Sequence, residues 1–159
     1  IDGYDNYVAS SFGRIININT GNIVNQGTNK KTGYLFVGLC YKSTVKQYKV
    51  NTLILSTFRE KPSDDVWHAI HKNGNKLDNR IENLRPATKS ENLRNSKIRK
   101  NNKSGYKNVF WRTECQKWQV QLRAFGKTKH IGYFNDLELA GLVAYEARDK
   151  YHKEFAKHF

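Results

Sequence analysis

The chain has 159 residues and carries 28 Lys and Arg against 14 Asp and Glu, a formal charge of +14 at pH 7. That excess is far beyond what solubility requires and suits a polyanionic partner, nucleic acid before acidic lipid or acidic protein. No apolar run approaches the ~18 residues of a membrane span and no charged start leads into an apolar signal segment, so no membrane partner is expected and the chain is expected to be soluble, intracellular or organellar.

The charge is spread along the chain rather than gathered in a tail, at +4 over residues 1–60, +6 over 61–103 and +4 over 104–159. Cys40 and Cys115 stand far apart without zinc-type Cys/His spacing, which points to reduced thiols. The chain contains no Met, and its first residue is expected to be an internal one exposed by processing or trimming.

Residues 1–60 read as short strands broken by Gly and Asn. One strand is predicted over 7–16, followed by Ile23-Val24, with Asn19-Thr20-Gly21-Asn22 as the turn between them. Strands over 34–39 and 47–50 follow the turn Lys31-Thr32-Gly33. From Val50 the apolar spacing becomes helical through Leu53, Ile54, Thr57 and Phe58, and predicts a helix before Pro62. Residues 89–104 hold six basic side chains against one acid and few large apolar ones, the composition of a linker or of a basic strap along a phosphate backbone.

Beyond Ser104 the pattern restarts. Alternation predicts strands over 106–112, 117–123 and 129–134 and then a helix capped by Asn135 with Glu138 three residues on. Leu137, Ala140, Ala144, Ala147 and Tyr151 form its apolar stripe, facing a small sheet. Trp118 is expected in that core.

Two stretches carry chemistry. In WHAIHKNGNKLDNRIENLRPATKSEN, residues 67–92, a His precedes a Gly-Asn turn, then Asp-Asn-Arg-Ile-Glu-Asn-Leu and a final Asn. This resembles the HNH motif of phage homing endonucleases, and the upstream text Tyr7-Val8-Ala9-Ser10-Ser11-Phe12-Gly13-Arg14 resembles the module that precedes that nuclease core. Phosphodiester hydrolysis needs a base for water, a cation on the phosphate, and fixed geometry between them. The resemblance implies His71 as general base, Asn83 as brace of the loop that orients it, and Asn92 as a metal ligand for Mg²⁺ or another divalent cation in an active enzyme. It also implies an Asp immediately before His71, where this chain has Ile70, and a His where it has Asn51. An aliphatic side chain offers nothing to a hard cation. His68, on the same strand face two residues back, is either an ordinary surface histidine or a substitute ligand displaced by ~6–7 Å.

The second stretch, residues 104–159, is similar to the apetala-type DNA-binding domain of plant ethylene-response factors, through Tyr106, Val109, Trp118, Ile131-Gly132-Tyr133-Phe134 and Ala144-Tyr145 with Ala147. The resemblance implies a three-stranded sheet with one helix, whose free face reads a major groove. Lys107, Arg112, Gln121, Arg123, Lys129 and His130 are its exposed-face candidates, joined by Arg94, Lys97, Arg99 and Lys100 of the basic segment.

The expectation is therefore an α+β chain, with short N-terminal strands leading into an HNH ββα-metal unit (1–92), a basic linker (93–103) and a small antiparallel sheet with one packed helix (104–159). It would bind duplex DNA, with metal-dependent cleavage hanging on Ile70. The alternative is a catalytically silent nuclease-derived protein in a nucleoprotein assembly such as a ribosome, on DNA or RNA; phosphate recognition by basic side chains does not separate the two polymers. The number of subunits is not legible from the sequence.

Overall fold

The structure, a computed structural model, describes residues 1–59 and 67–158. The chain is mixed α+β and divides into two compact units, Ile1–Lys89 and Ser90–Phe159. No described helix is long and apolar enough to cross a membrane.

Among the described residues the first unit holds three antiparallel sheets and a helix. Strands β1 (Tyr7–Ala9) and β2 (Ile15–Asn17) form a hairpin, and β3 (Gln26–Thr28), β4 (Leu35–Tyr41) and β5 (Thr44–Lys49) form a sheet in that order. The strand predicted over 7–16 is thus two strands. Gly13 N–H donates to the Ser10 carbonyl, and Gly13 takes a φ of +82°, which turns the chain between them. Helix α1 (Val50–Phe58) follows β5 directly and has no side-chain N-cap. It is held by packing: Val50, Ile54 and Leu55 join Ile15, Val37, Leu39 and Leu84 in a core where each is exposed by 1 % or less. Each buried aliphatic side chain of this size contributes ~1.5–3 kcal/mol. Strands β6 (Trp67–His71) and β7 (Leu84–Thr88) form the third sheet, with His71 opposite Leu84 and Ile70 opposite Arg85.

In the second unit β8 (Val109–Arg112), β9 (Lys117–Ala124) and β10 (Lys127–Phe134) pair in the order β10-β9-β8, all antiparallel, and helix α3 (Leu137–His152) packs on one face. Val109, Val120, Ala140 and Ala144 fill that interface, with Trp118, Tyr106 and Phe134 packed around it. The helix begins one residue later than its sequence suggests, because the side chain of Asp136, not Asn135, accepts the Leu139 N–H at 2.6 Å. The short helix α2 (Lys89–Arg94) spans the division between the units. Residues 94–96 pack into the second unit, where the Arg94 and Ser96 carbonyls accept from Arg148 and Lys107.

Candidate functional site

His71 ends β6, and the chain then loops through residues 72–80 and a 3-10 turn, Ile81–Asn83, into β7. The loop is rich in Asn, and its Asn side chains tie it together. Asn83 Nδ2 donates to the Asp78 carbonyl at 2.8 Å and to Asn73 Oδ1 at 3.1 Å, and Asn83 Oδ1 accepts the Asn73 N–H at 3.1 Å. Asp78 bonds Asn73 Nδ2 and forms a two-pronged pair with Arg80, which holds its carboxyl down to about 2. This closed set of bonds ties the loop to itself.

Asn79 turns its Oδ1 to His71 Nε2 at 2.9 Å, while its Nδ2 points to the Leu77 carbonyl at 3.4 Å. An amide oxygen only accepts, so Nε2 carries the proton and the lone pair sits on Nδ1. Burial pushes the His71 imidazole below its ordinary value, and the nearby Lys76 charge adds to this, against the Asn79 bond and the Asp78 charge. The ring is therefore neutral at pH 7 and held in one tautomer, the state a general base needs. Asn79 is a positioning residue that the spacing of the motif does not single out. A buried polar partner is visible only once the loop is closed.

The N-terminal hairpin supports this loop from behind. The Ser11 carbonyl accepts the Ile81 N–H at 2.9 Å, and Gly13 lies so close to the Asn79 backbone that an added Cβ would sit 2.7 Å from its carbonyl carbon. From the other direction, Asn51 of α1 donates from Nδ2 to the Ala69 carbonyl at 2.8 Å and fixes β6 just ahead of Ile70 and His71.

These elements together decide the family. Residues 62–94 match the HNH endonuclease family, and residues 1–40 match the NUMOD4 motif. Escherichia phage T7 protein 3.8 is 34% identical over 96 residues, covering 60% of this chain and 78% of that protein. The chain belongs to the HNH endonuclease family. An uncharacterized HNH endonuclease of Acanthamoeba polyphaga mimivirus is 39% identical over 98 residues, 60% of this chain and 24% of that protein. A solved structure described as DNA binding and cleavage by the HNH homing endonuclease I-HmuI has a TM-score of 0.55 and 31% identity, covering 60% of this chain and 54% of that one. The chain thus spans about a quarter of the mimivirus protein and about half of the homing endonuclease.

HNH endonucleases generally use a divalent metal ion. The residues around His71 do not fit one. Ile70 has no donor atom and is 4% exposed, packed inside the first unit. His68 is half-buried on the same strand face, opposite Ala87. Asn92 is half-buried in α2. Among the described residues no three His, Cys, Asp or Glu side chains gather to hold a metal.

In the second unit the sheet face away from α3 carries Arg112, Gln121, Arg123 and His130, together with Phe110, Gln119 and Tyr133. Phe110 and Tyr133 both stand opposite Gln119, and Arg112 Nε donates to Gln119 Oε1. A register shift between His130 and Gly132 lets His130 and Tyr133 share that face, with ring centres 4.7 Å apart. Lys129 does not join them: it sits opposite the core residue Leu122, and its ammonium lies 5.0 Å from the Tyr151 ring on the helix side. Consecutive strand residues point to opposite faces, so Lys129 and His130 are divided by the pleat. Lys107 is also drawn away, since its ammonium donates to the Ser96 and Lys157 carbonyls, and burial, then the Arg148 and Lys157 charges, lower it to about 8. Of the basic segment, Lys97, Arg99 and Lys100 stand exposed, while Arg94 is half-buried.

Proposed function

We propose that this chain binds duplex DNA and that its HNH hairpin has become a docking element without hydrolytic activity of its own. The reading rests on one observation: Ile70, immediately before His71, is buried and aliphatic where hydrolysis needs a cation seat. In this reading His71 keeps the place of a base, with Nε2 bonded to Asn79, and Asn83 ties the loop beside it. A base alone leaves the charge developing on the phosphate and on the leaving oxygen uncompensated, and that compensation is the larger part of phosphodiester catalysis.

In this reading the second unit is an apetala-like module. Arg112, Gln121, Arg123 and His130 meet base edges, with Lys97, Arg99 and Lys100 along the phosphates. Lys107 and Lys129 act from within the unit, by fixing its C-terminal carbonyls and its helix. The net charge of +14 supports a polyanion, and the flat polar and aromatic sheet face supports groove contact.

A plasmid-nicking assay with Mg²⁺ or Mn²⁺ tests this, comparing the chain with Ile70→Asp and His71→Ala. Duplex binding without cleavage is expected of the native chain. Metal-dependent cleavage that disappears in His71→Ala overturns the silent-hairpin reading, and preference for structured RNA over duplex DNA in competition overturns the assignment of the partner.

A further inference from the structure

Tyr34, just ahead of β4, is reached by three segments distant in sequence. Its ring lies 5.9 Å from the His71 imidazole, tilted by 36°. Lys49, the last residue of β5, holds its ammonium 5.3 Å from the Tyr34 ring centre, and Lys76, from the loop after β6, holds its own at 4.5 Å. Lys76 is anchored further by donating to the Thr32 carbonyl at 2.7 Å. Among the described residues neither ammonium is paired with a carboxylate.

Two like charges are thus held close to a single ring, and both lysines are exposed to solvent, where a polyanion can reach them. The nearest carboxylate in the same loop, Asp78, is committed to Arg80 and Asn73. The ring itself stays a neutral phenol, since burial raises the Tyr34 hydroxyl above its ordinary value. What remains is a ledge with two ammonium groups that no described carboxylate pairs, set beside the His71 ring.

We propose that Tyr34, Lys49 and Lys76 form a phosphodiester-docking ledge that seats one strand of a nucleic-acid backbone beside His71. The ledge rests on the duplex-binding reading and deepens it. It gives the first unit a grip on the backbone that is independent of base sequence and of any metal. Lys49 and Lys76 supply the charge, and the Tyr34 ring holds both at a fixed height so that little ordering is left to do on binding. The hairpin then keeps its place on DNA although hydrolysis is gone.

The test is the salt dependence of duplex binding by the full chain. Each phosphate contact contributes ~0.9 to the slope of log affinity against log salt. Lys49→Gln and Lys76→Gln each lower the slope by about one contact. The double variant loses ~12-fold less affinity than the native chain between 50 and 200 mM salt. Lys42→Gln is the matched control, because Lys42 lies 5.3 Å from the Tyr41 ring at the opposite end of β5 and leaves the slope unchanged. Tyr34→Phe retains the native slope and Tyr34→Leu does not. Duplex binding with the same slope in the double variant and the native chain overturns the ledge alone, as does an equal loss in Lys42→Gln. Absence of duplex binding by the native chain overturns the ledge and the functional reading together.

Discussion

Gly13→Ala probes the contact between the N-terminal hairpin and the His71 loop. Two costs are separable. A φ of +82° places an L-residue in the left-handed region, at ~1–2 kcal/mol. The new Cβ would also lie 2.7 Å from the Asn79 carbonyl carbon and 2.8 Å from its oxygen, and these are backbone atoms that move only with the loop. Forced overpacking of this kind adds ~1–3 kcal/mol, so the total is ~2–5 kcal/mol. Gly21→Ala isolates the first cost, since Gly21 has a φ of +70° and nothing within 4 Å of its added Cβ. Urea unfolding followed at the His71 and Trp67 side-chain NMR signals is expected to show Gly13→Ala losing at least ~1 kcal/mol more than Gly21→Ala, the lower bound of the overpacking term. Equal losses in the two variants would refute the close approach. Displacing Asn79 also weakens its bond to His71, so the imidazole pKa falls further, because that bond is what raises it.

His71 itself makes stability depend on pH. Its folded pKa lies below the unfolded value of ~6.5, so its neutral form contributes fully above that pH and the contribution is lost as pH falls toward the folded value. Denaturation at pH 7 and pH 5 is expected to show a steeper loss in the native chain than in His71→Asn. Ile70→Asp buries an unpaired carboxylate and destabilises by ~3–5 kcal/mol. Mn²⁺ is expected to raise the melting temperature of that variant and leave the native chain's unchanged, and an equal metal effect on both would show a cation seat that does not involve position 70. Asp136→Ala removes the α3 cap and costs ~1 kcal/mol in a thermal melt, whereas Asn135→Ala costs little.

Periodicity made helices α1 and α3 and the C-terminal hairpins legible, because Val50 and Ile54, or Ala140 and Ala144, recur at the helical interval wherever a core must be filled. Boundaries set by single hydrogen bonds were not. The choice between Asn135 and Asp136 as cap turns on which carboxamide or carboxylate reaches Leu139, and both residues suit the role. The break at Ser10–Gly13 was hidden because the residues around it continue to alternate. At the site, the motif named His71 and Asn83, which flank the loop, while Asn79 was one Asn among several within it. Tyr34, Lys49 and Lys76 meet only through the tertiary fold and leave no local signal. On the C-terminal sheet, pairing with Leu122 puts Lys129 on the helix side, and a one-residue register shift after His130 brings Tyr133 to the open side.

The bond from the Ser11 carbonyl to the Ile81 N–H joins positions 70 residues apart in the chain. Contacts of such long range carry the loop-closure entropy of everything between them and form late. The His71 loop is thus closed late, on a hairpin that is synthesised before it. A fragment that begins at Trp67 keeps every residue of the motif yet lacks the surface that holds Asn79 against the imidazole. For this chain the placement of His71 is a property of the whole first unit, and the stretch of sequence that names the family does not hold it in place alone.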